Sequence, residues 1–142
     1  MAIASQLLKH KGRVIHSVAP EAPVLDAIRL MAEHGVGALL VMQGNELLGV
    51  VSERDYARKV ILKGRSSNDT AVREIMSSPV QTVRADQSVH DCMRIMSEHR
   101  FRHLPVVDDD GVIGVLSIGD LVRAVVEEQQ KTIADLEQYI HS

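Results

Sequence analysis

Two stretches of the chain share the form Gly-x-x-Ser-x-x-Asp: Gly49-Val50-Val51-Ser52-Glu53-Arg54-Asp55 and Gly114-Val115-Leu116-Ser117-Ile118-Gly119-Asp120. Each follows an apolar run and precedes a segment with helical periodicity, so each is predicted to join a strand to a helix. An offset of 65 residues aligns 14–60 with 79–125 without a gap, and identical pairs such as Asp26/Asp91 recur along the overlap. The chain therefore contains two copies of one structural unit.

Each copy predicts the element order βαββα. Its parts are an opening strand, an amphipathic helix that begins at Pro23 or Ser88, two apolar runs joined by a hairpin turn, and a second helix. Gly35 has the position of a glycine that ends a helix. The predicted fold is α/β, with two pseudo-symmetric repeats packed through their sheets and with N-terminal and long C-terminal helices. The predicted segments are an N-terminal helix (1–13), the first repeat (14–64), a linker with a short helix (65–78), the second repeat (79–128) and a C-terminal helix extension (129–142).

Composition restricts the class of protein. Of 142 residues 45% are hydrophobic, but only one Phe, two Tyr and no Trp are present, so the core is predicted to be aliphatic. The net charge of −3 argues against a nucleic-acid partner. No apolar run reaches the roughly 18 residues of a membrane span. The single cysteine, Cys92, fits a reducing compartment, and we expect a cytoplasmic protein.

The repeated Ser-x-x-Asp pattern has two interpretations. As a capping box, the serine and the acid would only begin a helix. Alternatively, the free amides of a helix start attract an anion, and a carboxylate there suits the two hydroxyls of a cis-diol. Phosphate together with a diol indicates a ribonucleotide. The repetition of the pattern in both copies favours the second interpretation.

The doubled pattern resembles a pair of cystathionine-β-synthase (CBS) domains, also called a Bateman module, of the stand-alone bacterial type. The resemblance also rests on Ser17-Val18, Thr82-Val83 and Arg102-His103-Leu104-Pro105-Val106-Val107, and it covers residues 14–128. It implies a non-catalytic sensor that binds AMP, ADP, ATP, NAD(H) or S-adenosylmethionine in two clefts between the repeats and signals to an unidentified regulated protein. Serine replaces the usual threonine and keeps the hydroxyl, whereas Leu40 stands where the family prefers proline.

The resemblance also implies which residues line each cleft. The first cleft would contain Ser52, Asp55, the backbone of Gln81, Thr82 and Val83, and Arg102 with His103. Pro105 is a further expected nucleotide-binding residue. The second would contain Ser117, Asp120, residues 15–18 with Ser17 and Val18, Gly37, Ala38 and Arg54. With Arg102 and His103 the first cleft would prefer a phosphate-bearing ligand, and the second could accept a bulkier one such as NADH.

Other candidate residues favour structural roles. His34 and His99 have the positions of helix C-termini, where the helix dipole favours a cation. Cys92 lies on an apolar helix face, and the run 108–110 is too short for a calcium loop and fits a hairpin. No catalytic triad, metal cluster or phosphate-binding loop is recognisable, so we expect no catalytic cofactor and no metal.

Two alternatives to a nucleotide sensor remain. One is an interaction or dimerisation protein with vestigial clefts, and the other is a weak nucleotide hydrolase. The tail carries an apolar stripe that predicts a homodimer, or else a tail folded back on its own chain. The stripe consists of Val126, Ile133, Leu136 and Ile140.

Overall fold

The computed structural model of the protein describes residues 2–12 and 14–141. Met1, Arg13 and Ser142, which the sequence assigned to the terminal segments, lie outside the described residues. The described residues form two compact units, one of 2–12 with 82–141 and the other of Val14–Gln81. No helix within the described part of the chain is both long and apolar enough to cross a membrane.

The unit of Val14–Gln81 contains the first repeat. Its elements are β1 (Ser17–Val18), α2 (Val24–His34), β2 (Ala38–Gln43), β3 (Glu46–Ser52) and α3 (Glu53–Tyr56), which continues as a π-helical turn (Ala57–Ile61). The sheet order is β1-β2-β3, parallel between β1 and β2 and antiparallel between β2 and β3. A 3₁₀ turn (Val72–Glu74) follows, and its Val72 is buried in the core of this unit.

The second unit repeats this topology and adds both terminal helices. It contains α1 (Ala4–Lys11), β4 (Val83–Arg84), α4 (Val89–His99), β5 (His103–Asp108), β6 (Gly111–Ser117) and α5 (Ile118–His141). The sheet order β4-β5-β6 has the same parallel and antiparallel pairings as the first. The predicted α/β fold with two βαββα repeats is thus confirmed.

The segment that precedes each repeat packs on the other repeat. Helix α1 places Ala4 and Leu8, both fully buried, in the core of the second repeat. The segment after the first repeat places Val72 and Ile75 in the core of the first. Each segment also forms an isolated antiparallel bridge with the start of a helix, Ile3 with Ser88 and Ala71 with Pro23.

The helix ends follow the predicted signals. Ser88 Oγ accepts a hydrogen bond from the Asp91 amide and caps α4, whereas Pro23 precedes α2 with no side-chain cap. Gly35 ends α2 with φ 65°, in the left-handed region that glycine adopts freely. Its counterpart in the second repeat, Arg100, has φ 56° without that freedom.

The opening strands are shorter than predicted. Residues 14–18 and 80–83 read as β segments, but the strands are only Ser17–Val18 and Val83–Arg84. Val14 is 70% exposed, so its side chain gains little from strand pairing, and only Val18 and Val83 enter the cores. The core is aliphatic, as the composition predicts.

Candidate functional site

The first Ser-x-x-Asp pair begins helix α3. Ser52 Oγ accepts from the Asp55 amide at 3.2 Å, and Asp55 Oδ2 accepts from the Ser52 amide at 2.9 Å and from Ser52 Oγ at 3.0 Å. This reciprocal bonding is a capping box, with the carboxylate fixed by the backbone that precedes it. The other oxygen, Oδ1, lies 3.3 Å from Lys59 Nζ, one turn further along the helix.

The second Ser-x-x-Asp pair begins helix α5 in the same way. Ser117 Oγ accepts from the Asp120 amide at 3.2 Å, and Asp120 Oδ2 accepts from the Ser117 amide at 2.8 Å. Its nearer cation, however, comes from 109 residues away in the sequence: Lys11 Nζ donates to Asp120 Oδ2 at 2.7 Å and to the Val115 carbonyl at 2.8 Å. The Asp120 side chain is only 12% exposed. The two repeats therefore hold equivalent carboxylates with cations from different elements.

Close packing of α1 on β6 positions Lys11. A Cβ at Gly114 would lie 2.7 Å from Leu8 Cδ2, so glycine is needed for the buried Leu8 side chain to reach the strand. The amides of Ala4 and Ser5 donate to the carbonyls of Gln87 and Ala85, both at 2.9 Å. The helix is thereby fixed over the sheet with its last residue, Lys11, beside Asp120.

Both motif glycines have a packing explanation. At Gly49 a Cβ would lie 2.7 Å from Met76 Sδ and 2.9 Å from the Ser77 carbonyl, because residues 76–77 pass close over β3. Val50 and Ser77 exchange two backbone hydrogen bonds there. The glycine that precedes each Ser-x-x-Asp pair is therefore explained by contact with a segment outside the aligned repeats, without any ligand.

The junction between the first helix and the second strand of each repeat lies beside its Ser-x-x-Asp pair. Ala38 is in register with Ser52, and the Gly37 carbonyl accepts from the Glu53 amide at 3.0 Å. In the second repeat His103 is in register with Ser117, and the Arg102 carbonyl accepts from the Ile118 amide at 2.9 Å.

Within their own repeat, Arg102 and His103 are thus neighbours of Asp120. The assignment of both residues to a site with Asp55 stays a prediction.

Burial and cationic neighbours together shift the pKa values in this cluster. Burial is the largest cause that lowers the pKa of His103 below its usual value, and Lys11 and Arg102 lower it further against the opposing effect of Asp120. Burial by itself raises the pKa of Asp120, but the hydrogen bonds from Lys11 and Ser117 outweigh it and the pKa is lowered. Asp120 is therefore ionised at neutral pH beside groups that carry, or can gain, positive charge.

The remaining predicted site residues differ in solvent exposure. Ser17 is exposed and Val18 buried on β1, Gln81 and Thr82 are partly buried just before β4, and Val83 is buried in it. Pro105 is buried in β5 opposite Val115, in the same register as Leu40 opposite Val50.

Leu40 and Pro105 therefore occupy equivalent buried positions in the two sheets. Arg54 is exposed on α3.

The other titratable candidates have structural surroundings. His34 and His99 are the last residues of α2 and α4, and the His34 ring stacks on His16 with centroids 3.9 Å apart. Cys92 is fully buried, and burial, with a contribution from Asp91, raises the pKa of its thiol to about 11. Over residues 2–12 and 14–141, no three His, Cys, Asp or Glu side chains are grouped closely enough to hold a metal ion.

Two lysines of the site were not identified from the sequence. Lys59 lies four residues after Asp55, a spacing that brings both side chains to one helix face. No local pattern signals Lys11, because only the packing of α1 on the second repeat brings it to Asp120.

Comparison with known proteins places the chain among its relatives. The CBS domain family matches residues 12–62 and 72–127. The mitochondrial CBS domain-containing protein CBSX3 of Arabidopsis thaliana is 41% identical over 96% of this chain and 70% of its own length. The CBS domain-containing protein YhcV of Bacillus subtilis is 33% identical over 75% of this chain and 76% of its own.

A solved structure agrees with the sequence comparisons. A protein with CBS domains from Burkholderia ambifaria MC40-6 is 51% identical, with a TM-score of 0.85, over 90% of this chain and 96% of that one. Because this match covers 90% of the chain, it includes both of the repeats described above. The chain belongs to the CBS domain family and carries two CBS domains in tandem.

Proposed function

We propose that the protein is a sensor that binds adenosine-containing nucleotides at its two Ser-x-x-Asp helix starts and signals their presence to a partner protein. Proteins with paired CBS domains are generally regulatory or signal-transduction modules and typically not catalytic. The proposed ligands are AMP, ADP, ATP and NAD(H), with S-adenosylmethionine a further candidate. The cytoplasmic location stays a prediction.

The observation that carries the proposal is the pair of fixed carboxylates. In each repeat the cap holds Oδ2 of the aspartate at 2.8–2.9 Å from a serine amide, so the carboxylate has little freedom left to lose. The second oxygen, Oδ1, is not used by the cap. Lys59 Nζ lies 3.3 Å from this oxygen of Asp55, and a guanidinium nitrogen of Arg123 lies 3.9 Å from the corresponding oxygen of Asp120. A ribose cis-diol would donate to such a preorganised acceptor at small entropic cost.

The charge around Asp120 supports a phosphate-bearing ligand. Lys11, Arg102 and Arg123 carry three positive charges, against the single negative charge of Asp120, and His103 adds a fourth when protonated. A nucleotide whose ribose binds the carboxylate would bring its phosphate into this positive surplus. Charge-assisted hydrogen bonds of this kind contribute roughly 1.5–3 kcal/mol each.

The strongest alternative is an interaction protein in which the Ser-x-x-Asp pairs only cap their helices and bind no ligand. Ser88 and Asp91 show that the same spacing can have that role, since Ser88 caps α4 and the Asp91 side chain is half exposed. A nucleotide hydrolase is less well supported, because the buried Cys92 thiol, with its raised pKa, is a poor nucleophile. The Ser88–Asp91 pair provides a matched control for the binding test.

The experiment compares AMP with 2′-deoxy-AMP by calorimetry on the wild-type protein and on Asp55→Asn, Asp120→Asn and Asp91→Asn. The asparagine variants keep an oxygen that can accept the cap hydrogen bond. We expect wild type and Asp91→Asn to bind AMP alike and to lose about tenfold or more in affinity for the deoxynucleotide.

At least one of Asp55→Asn and Asp120→Asn should weaken the binding of AMP and should bind AMP and 2′-deoxy-AMP with equal affinity. If neither variant changes AMP binding, or if Asp91→Asn weakens it as much, the role given to these carboxylates is wrong.

A further inference from the structure

The ammonium group of Lys11 is held beside Asp120 by two short hydrogen bonds. Lys11 Nζ donates to Asp120 Oδ2 at 2.7 Å and to the Val115 carbonyl at 2.8 Å. Within the described part of the chain these bonds use two of the three N–H donors that an ammonium carries. The Lys11 side chain is 41% exposed, so the third donor can reach an oxygen of a bound molecule.

Lys11 compensates the charge of Asp120 without occupying the oxygen that a ribose needs. It binds Oδ2, the oxygen that the cap already uses, and the Arg123 guanidinium stays 3.9 Å from Oδ1, beyond hydrogen-bond distance. At Asp55 the arrangement is reversed, because Lys59 Nζ lies 3.3 Å from Oδ1 itself. The Asp120 site therefore combines an open acceptor with a fixed cation beside it, whereas the cation at Asp55 stands at the acceptor.

Lys11 is also more firmly placed than the neighbouring cationic groups. Arg102 is exposed, and the Arg123 side chain is 69% exposed. Burial lowers the pKa of His103, so that its imidazole is mostly neutral at pH 7. Lys11, in contrast, ends a helix that is packed on the sheet by the buried Leu8. A cation fixed in this way loses little freedom when it binds an anion.

We propose that Lys11 contacts the phosphate of a nucleotide whose ribose is bound by Asp120, which makes α1 a part of this nucleotide site. The inference rests on the proposed function and adds a specificity-determining residue from outside the aligned repeats. Binding and packing are then reciprocally coupled: the factor by which packed α1 tightens the ligand is the factor by which the ligand stabilises packed α1. Helix α1 is thereby an element whose attachment to the second repeat depends on the nucleotide.

The competing explanation is that Lys11 only compensates the charge of Asp120, whose side chain is 12% exposed. Loss of the lysine would then disturb the carboxylate that binds the ribose, and adenosine and AMP would be weakened equally. Loss of a phosphate contact weakens AMP alone. The ratio of the dissociation constant of adenosine to that of AMP therefore separates the two roles.

The first arm of the test measures this ratio by calorimetry in an Asp55→Asn background, which leaves the Asp120 carboxylate as the ribose acceptor. Lys11→Met should lower the ratio by about tenfold or more, the effect of one lost charge-assisted hydrogen bond. Lys11→Arg keeps the charge and should stay within about threefold of the parent. Lys9→Met removes the same charge from an exposed position of the same helix and should change the ratio by less than about twofold.

The second arm uses the wild-type protein, so it does not depend on the folding of any variant. Hydrogen exchange of the α1 amides is followed without ligand and with adenosine or AMP, each at the same multiple of its dissociation constant. Stabilisation of the whole fold is then equal for both ligands. If detachment of α1 costs AMP about tenfold in affinity, AMP should slow the α1 amides by up to about tenfold more than adenosine does.

An unchanged ratio in Lys11→Met, an equal loss in Lys9→Met, or equal slowing of the α1 amides by the two ligands would overturn the phosphate contact. An Asp55→Asn protein that no longer binds AMP, when wild type does, would overturn the placement of this ligand at Asp120 while leaving the proposed function intact. If wild type binds neither AMP nor adenosine, the inference fails together with the AMP site proposed above.

Discussion

The contact between Leu8 and Gly114 connects the N-terminal helix to the second repeat, and it supports a double-mutant prediction. Leu8 is fully buried, and a methyl group on residue 114 would lie 2.7 and 2.9 Å from its two Cδ atoms. Gly114→Ala therefore forces the leucine out of its rotamer, an overpacking that costs about 1–3 kcal/mol. Leu8→Ala leaves a cavity instead and costs about 2–5 kcal/mol.

The two substitutions should compensate each other. With alanine at position 8 the added methyl group at 114 meets no Cδ atom and fills part of the cavity. We expect the double variant to be at least about 1 kcal/mol more stable than the sum of the single changes predicts. In a chain of this size that difference corresponds to a few degrees in melting temperature.

The assay is urea denaturation followed by circular dichroism for the four proteins of the cycle. Gly49→Ala combined with Leu8→Ala is the control, because residue 49 meets Met76 and the Ser77 carbonyl in the other unit. That pair should be additive within about 0.5 kcal/mol. Additive free energies for Leu8 and Gly114 would refute the packing of α1 on β6, and with it the reason that Lys11 reaches Asp120.

Three further predictions concern single sites. Cys92, with its thiol pKa raised to about 11 by burial, should resist a thiol reagent at pH 8 in the native protein and react at once in denaturant. Arg100→Gly should raise the melting temperature, because it relieves a left-handed φ of 56°, whereas Gly35→Ala should lower it by a comparable amount. The lowered pKa of His103 means that the unfolded chain binds the proton more tightly, so the free energy of unfolding falls as pH drops below about 6.5. Between pH 7 and 5 the melting temperature should therefore fall less for His103→Gln than for wild type.

Much of the fold could be predicted because its signals are local and doubled. The capping serine before α4, the glycine after α2 and the hairpin turns each act within a few residues of their own positions. The offset of 65 repeats the hairpin turns and the Ser-x-x-Asp helix starts, whereas the capping serine and the helix-ending glycine each occur in one repeat only. The π-helical turn after α3 carries no such local signal and was read as ordinary helix.

The site could be predicted only in part, because its cations and glycines depend on tertiary packing. The Ser-x-x-Asp pairs were identified from their spacing, but nothing in the spacing predicts what the glycines before them contact. The structure explains both by contacts with Leu8 and Met76, which belong to segments outside the aligned repeats. Lys11 was missed for the same reason, since no spacing relates it to Asp120.

The central claim is that this CBS pair binds an adenosine nucleotide, and a melting-temperature scan of the wild-type protein tests it most directly. The scan would use AMP, ATP, NADH and S-adenosylmethionine, with GMP as the base control. A ligand at about 100 times its dissociation constant stabilises the folded protein by roughly 2.7 kcal/mol. The account predicts a rise of several degrees with at least one adenosine ligand and a smaller one with GMP. No shift with any of the four adenosine ligands at millimolar concentration would contradict it.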